Sequence, residues 1–254
     1  MIVSWNGRLI DEDEVRVSPF DGGLLRGEGV FETMRADQGK VCHWPRHYAR
    51  LLRSAQKLSL EVPDPLVLEN RLEDVLRANQ LLKEPARIRL TLSGNILVTA
   101  VTLPVRSERC RVGISEYPIN ERGPLVGGKV CSYAENMTIL KQSGLDEVIR
   151  PNTQGELCEG CLSNVFFVMG GEIRTPSLET GCLPGISREL VLERFPEVVE
   201  GEWSIEILKE ADEVWLSSST RILSWVDELD GREMGPPGEM FQRILGDLAV
   251  AASP

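Results

Sequence analysis

Lys129 stands in Gly127-Gly128-Lys129-Val130-Cys131-Ser132-Tyr133, with glycines on one side and apolar residues on the other. Such surroundings desolvate an amine, which lowers its pKa and makes it a nucleophile for a carbonyl. A surface lysine beside a turn would have the same local sequence. Glu159, in Cys158-Glu159-Gly160-Cys161-Leu162-Ser163, precedes an apolar run through Phe167. Burying a carboxylate there is costly unless it meets a cation or a donor; in a loop it is simply solvated. A third group joins Arg50 to the turn Leu183-Pro184-Gly185-Ile186-Ser187-Arg188 and the run Ser217-Ser218-Ser219-Thr220. A turn that opens a helix offers unpaired backbone N–H groups, hydroxyls add donors and an arginine adds charge, which together suit a phosphate. Singly they read as a helix-surface arginine, a helix cap and a Ser-rich loop. Lastly, Arg26-Gly27-Glu28-Gly29-Val30-Phe31-Glu32 has glycines where close backbone approach or positive φ would be needed, as at the mouth of a site.

Several other chemistries are excluded by what is missing. Two histidines, His43 and His47, leave little room for a His-based triad, and neither a GxSxG elbow nor a P-loop occurs. The six cysteines include Cys158 and Cys161 at zinc or redox spacing, but there is no second such pair, and both histidines lie far upstream. Free thiols and no metal are expected.

The elements that must position these residues can be read from periodicity. Short strands are predicted at Ile2 to Trp5 and Arg8 to Ile10, then at Val30 to Arg35, with turns at Asn6-Gly7 and Asp37-Gln38-Gly39, which reads as a meander. Helical spacing covers Trp44 to Leu60 and Pro65 to Asn79; alternation covers Ala86 to Leu92 and Ile96 to Leu103. The Gly- and Pro-rich stretch 120–128 marks a linker. Residues 1–119 therefore form a smaller N-terminal α+β domain and residues 129–254 a larger one. In the latter, helices are expected over Tyr133 to Ser143 and over Ser187 to Phe195, capped by Ser187 or opened by the Pro184-Gly185 turn. Strands are expected at Glu147 to Arg150, Leu162 to Met169, Glu172 to Thr175 and Glu213 to Ser217.

At 254 residues, 42% hydrophobic and 26% charged, the chain can bury a full core without disulfides. Its net charge of -11, from 39 acidic against 28 basic side chains, repels a phosphate backbone or an anionic membrane, so any anionic ligand needs a local basic site. Neither a membrane span nor a signal peptide is visible, and a cytoplasmic location is expected.

Taken in order, Asn6-Gly7, Gly27-Glu28-Gly29-Val30-Phe31-Glu32, His47-Tyr48-Ala49-Arg50-Leu51, Lys129, Glu159, Leu183 to Arg188, Ala211-Asp212-Glu213-Val214 and Asp230-Gly231 resemble the class IV aminotransferase family. These are the fold-type IV pyridoxal-phosphate enzymes: branched-chain aminotransferases, D-amino-acid transaminases and aminodeoxychorismate lyases. The resemblance implies a two-domain α+β fold, a homodimer, and pyridoxal 5'-phosphate held by the larger domain. Lys129 then resembles the lysine that carries the cofactor as an aldimine and moves the proton at Cα. Glu159 resembles the carboxylate on the pyridine nitrogen, and Arg50 the phosphate-binding arginine, helped by Ile186, Ser187 and Ser219. Tyr133 stands where some members place a tyrosine near the ring hydroxyl.

Substrate contacts are expected from Arg26, Phe31, Arg89 and Thr220. Arg26 replaces an aromatic residue found in many members; it would clamp a carboxylate or pair with Glu28 at the surface. Ser93 stands where D-amino-acid transaminases carry a carboxylate-binding arginine, a role Arg89 could take over. The activity implied is amino-group transfer between an amino acid and a 2-oxo acid. The alternative is aminodeoxychorismate lyase, releasing pyruvate and 4-aminobenzoate, towards which the short chain, Cys161 after Glu159-Gly160 and an extra anion site at Arg26 lean. Leu216-Ser217-Ser218-Ser219-Thr220-Arg221 is more similar to a transaminase loop. A noncatalytic protein of the same fold would have no use for Lys129, Glu159 and Arg50 together.

Overall fold

The clearest alternation in the chain becomes a strand that buries Ala86, Ile88, Leu90 and Leu92, every second residue, near the middle of a six-stranded sheet. The computed structural model describes residues 1–104 and 109–251, in two units: 1–104 with 128–133, and 109–127 with 134–250. The sheet of the first unit comprises β1 (Ile2–Trp5), β2 (Arg8–Asp11), β3 (Val30–Asp37), β4 (Lys40–Val41), β5 (Ala86–Leu92) and β6 (Ile96–Thr102). Two 14-residue helices, α2 (Trp44–Lys57) and α3 (Pro65–Ala78), follow a short α1 (Gly22–Arg26). Leu51 and Ala55 of α2 and Leu68, Leu72 and Leu76 of α3 join Met34, Ile88, Leu90 and Val98 of the sheet in one core.

The strand order is β2-β1-β6-β5-β3-β4, so the first three strands do not form the expected meander. β1 and β2 make a hairpin, but β5 and β6 lie between β1 and β3. The long connection from Asp11 to Val30, with α1 capped by the Asp21 side chain, lets β3 leave its sequence neighbour for a longer partner, seven residues in register with β5. Helix α2 ends at Lys57, before the expected Leu60, where Leu58 caps it and Ser59 turns to φ 54.

In the second unit one sheet has the order β12-β11-β10-β13-β14, from β10 (Asn164–Met169), β11 (Glu172–Pro176), β12 (Val199–Gly201), β13 (Glu213–Ser218) and β14 (Ile222–Trp225). Another, in the order β16-β15-β7-β8-β9, uses β7 (Arg111–Ile114), β8 (Glu147–Pro151), β9 (Leu157–Gly160), β15 (Glu228–Leu229) and β16 (Arg232–Glu233). Its helices are α4 (Ala134–Ser143), α5 (Ile186–Arg194) and α6 (Glu239–Ala251). Strand β10 is buried on both faces, which explains its near-continuous apolar run. Val165 and Phe167 join Ile149 and Leu157 of the β8–β9 pair in one core, while Phe166 and Val168 meet Val191 of α5 and Ile244 of α6 in another.

The strand expected from Leu162 starts at Asn164, because Leu162 and Ser163 belong to the bend between β9 and β10. Helix α5 opens on Gly185 at φ -74 and ψ 135, with no side-chain cap; Ser187 lies within the helix rather than capping it. β7, β9, β14 and α6 had no prediction from periodicity: the strands are four residues long, too short for alternation to stand out.

Candidate active site

In the first unit the segment carrying Lys129 is laid against the start of β3. Val130 bridges Val30, the Phe31 N–H donates to the Lys129 carbonyl at 3.0 Å, and the Cys131 N–H donates to Gly29 O at 2.7 Å. The Lys129 N–H donates to Ser54 Oγ of α2 at 3.0 Å. Two elements thus fix the backbone of the lysine, and its side chain is held by rings. Nζ lies 4.6 Å from the centroid of Phe31 and 5.8 Å from that of Tyr133, and the two rings meet edge to face at 5.3 Å. Arg89 of β5 also stacks on Phe31, Cζ at 3.7 Å from the ring centre, and donates Nε to Thr91 Oγ1 at 3.2 Å. Both cations are attracted by the negative quadrupole of that one ring. Burial pushes the Arg89 pKa down, and among the described residues no carboxylate pairs with it.

Behind this cluster is a buried ionic triad that the sequence reading missed. Glu32, wholly buried on β3, accepts from Arg50 Nε at 2.9 Å, from Arg50 Nη2 at 2.6 Å and from His47 Nδ1 at 2.7 Å. Burial raises the Glu32 pKa, but the Arg50 guanidinium and then His47 outweigh it and bring it down to about 2. His47 is shifted down, chiefly by burial against the pull of Glu32, which favours the neutral ring. The signal was present in α2: His47, Arg50 and Ser54 lie at helical spacing on a buried polar stripe beside the apolar one.

Arg26, exposed at the end of α1, forms a two-point pair with Glu28, Nε to Oε1 at 2.5 Å and Nη2 to Oε2 at 2.7 Å.

In the second unit, Glu159 lies within strand β9, and its Oε2 accepts the Leu183 N–H at 2.8 Å. Leu183 leads into the turn before α5, which brings the acid next to that helix's N-terminus. Asn164 Nδ2 donates to Leu183 O at 2.8 Å, and its Oδ1 lies 1.8 Å from where a Cβ on Gly185 would sit, so only glycine fits there. Ile186 and Ser187 are buried in the first turn of α5. Ser219 and Thr220 occupy the turn between β13 and β14, and the Ser217 hydroxyl just before them is buried without a partner. Arg221, half-buried and shifted down by burial, has no acid partner among the described residues and is a further cation that sequence reasoning passed over. Within the second unit, the orphaned Ser217 hydroxyl and a helix start without a side-chain cap suit a phosphate group; within the first, taken by itself, the Lys129 amine beside two rings suits an aldehyde.

Cys158, Cys161 and Cys182 are buried, and all six cysteines are free of disulfides. Burial pushes the Cys161 and Cys182 thiols up to about 12, where they are unreactive. Among the described residues no group of three or more His, Cys, Asp or Glu could hold a metal ion, and no helix is long and apolar enough to cross a membrane.

The sequence profile of the amino-transferase class IV family matches residues 29–229. A chain of Methanocaldococcus jannaschii provisionally named a branched-chain-amino-acid aminotransferase is 30% identical over 262 residues, covering 91% of this chain and 89% of that one. The aminodeoxychorismate lyase of Bacillus subtilis is 32% identical, covering 84% of this chain and 82% of the lyase. The crystal structure of the branched-chain aminotransferase of Thermoproteus uzoniensis, determined with norvaline, superposes with a TM-score of 0.90 at 27% identity, covering 99% and 95% of the two chains.

Proposed function

The chain belongs to the class IV aminotransferase family, whose cofactor is pyridoxal 5'-phosphate, and from that premise we propose that it moves an amino group between an amino acid and a 2-oxo acid. The observation that carries this reading is the setting of Lys129, its amine 4.6 Å from the Phe31 ring that also bears Arg89. The cofactor, when bound, supplies a ring that takes up the electrons left at Cα as the proton departs. Lys129 would hold the cofactor through its amine and would move the proton at the substrate's Cα. Glu159 keeps a proton on the ring nitrogen. Arg50, Ile186, Ser187 and Ser219 would receive the phosphate, and Tyr133 would meet the ring hydroxyl.

For the substrate, Arg89 is the preferred reader of an acid group, because it is half-buried and has no carboxylate partner among the described residues. Phe31 forms the wall beside it, and Thr220 adds a hydroxyl. Arg26 could serve only by giving up Glu28, which makes it the second choice. A pair of chains forms the working unit, supported by Phe20, Leu24 and Leu25, apolar side chains left exposed in the first unit.

A second reading, aminodeoxychorismate lyase, is favoured by the likeness to the Bacillus subtilis enzyme. One experiment tests both. L- and D-amino acids are added singly to the holoenzyme and the visible spectrum is followed; the transaminase reading expects certain amino acids to bleach it and a 2-oxo acid to restore it. Pyruvate released from aminodeoxychorismate without any 2-oxo acid would identify the lyase instead.

A further inference from the structure

Glu147, the first residue of β8, is wholly buried, and no cation among the described residues pairs with it. Its oxygens accept instead from Ser163 Oγ at 2.8 Å, from the Leu162 N–H at 3.1 Å and from its neighbour's Val148 N–H at 3.1 Å. Its charge is felt by the Cys161 and Cys110 thiols, both pushed up to about 12 chiefly by burial and, in part, by this carboxylate. Burial pushes the Glu147 carboxyl itself up to about 7 against those donors. A buried acid without a cation is an expensive way to satisfy a bend, and an apolar residue would cost less.

What the acid grips is the bend immediately after Glu159. There the Gly160 N–H donates to Ser163 O at 2.8 Å and the Cys161 N–H to Val148 O at 2.9 Å. Gly160 leaves no room for a side chain, since a Cβ would sit 2.6 Å from Ser163 Oγ and 3.1 Å from Glu147 Cδ. The same strand holds the bend a second time. Arg150, directly opposite Glu159 in the β8–β9 ladder, donates Nη1 to Asn136 Oδ1 at 2.6 Å, and Asn136 Nδ2 donates to Cys161 O at 2.9 Å. Strand β8 therefore fixes the backbone on the far side of Glu159, while Leu183 engages its carboxylate.

We propose that Glu147 is a positioning residue for Glu159: by clamping Leu162 and Ser163 it sets where the Glu159 carboxylate meets the cofactor's ring nitrogen. The proposal rests on the reading of Glu159 given above. Its test is the protonation of that nitrogen in the holoenzyme, read by NMR with 15N-labelled pyridoxal 5'-phosphate, together with steady-state kinetics. In E147Q the ring nitrogen should lose its proton about one pH unit earlier than in the unmodified protein, and kcat should fall about tenfold while KM changes less than about twofold. S163A, which removes one donor and leaves the acid in place, should move both readouts the same way by less, and it decides the matter if E147Q does not fold. The double variant E147Q/E159Q should be no slower than E159Q, since both act through one carboxylate. A shifted ring nitrogen in E159Q with none in folded E147Q would overturn the proposal alone. So would a full E147Q effect persisting on top of E159Q. An unshifted ring nitrogen in E159Q would take down the reading of Glu159, and the proposal with it.

Discussion

In the proposed reading Lys129 has two separable tasks, covalent attachment and proton transfer, and neither depends on how the phosphate is held. Lys129→Ala should therefore abolish the borohydride-reducible link and nearly all turnover, while apoprotein still takes up cofactor through the phosphate group; a reducible link surviving in that variant would point to another lysine. The two candidate arginines differ in setting. Arg89 is half-buried on Phe31, whereas Arg26 is exposed and engaged by Glu28. Truncating a desolvated guanidinium that meets a substrate carboxylate strands that acid, at about 2 to 5 kcal/mol. Arg89→Leu should raise KM for acidic substrates at least about tenfold, and Arg26→Leu should change it much less, with the melting temperature unmoved, because exposed pairs contribute little. Comparing KM for acidic and apolar substrates in the two variants checks the ranking, and the reverse order would return the clamp to Arg26.

At the scale of elements, the buried acids of β3 and β8 have opposite linkage to pH. Glu32 is held down at about 2 by Arg50 and His47, so its contribution to stability is complete above about 4.5 and is lost as pH falls through about 2. Glu147 is raised to about 7 by burial, so the folded protein binds the extra proton, and stability falls as pH climbs from about 4.5 through about 7. Glu147→Gln removes that falling limb. Urea unfolding of apoprotein at pH 5 and pH 8 should show the variant gaining on the unmodified chain between the two, by on the order of 3 kcal/mol. A difference between the two proteins that stays the same at both pH values would mean that Glu147 does not titrate there. Removing one partner of the other site is a different matter, since Glu32→Ala would leave Arg50 buried without its acid at a cost of about 3 to 5 kcal/mol.

At the scale of the whole molecule, Phe20 is 85% exposed, and Leu24 and Leu25, close to it in sequence, are exposed as well, so this segment is where the proposed pairing of two chains can be probed. Sedimentation should give the mass of two chains, and Phe20→Asp should shift it towards one; a single-chain mass for the unmodified protein would remove the dimer. The sequence alone determined the local alternations and turns, because a strand with period two or a helix with one apolar stripe is written in neighbouring residues: α2, α3, β5 and β6 follow it closely. It also determined the family, whose motifs are short strings. Pairing was decided by tertiary structure, since which strand lies beside β1 depends on partners ninety residues away, as Ser4 opposite Val98 illustrates. The same holds for charge. Nothing local distinguishes Glu32 and Glu147 from solvated side chains; only the folded chain removes water from them, leaving Glu32 with an arginine and Glu147 with a hydroxyl and N–H groups. Burial and partner together set each acid's pKa, and both are properties of the packed interior.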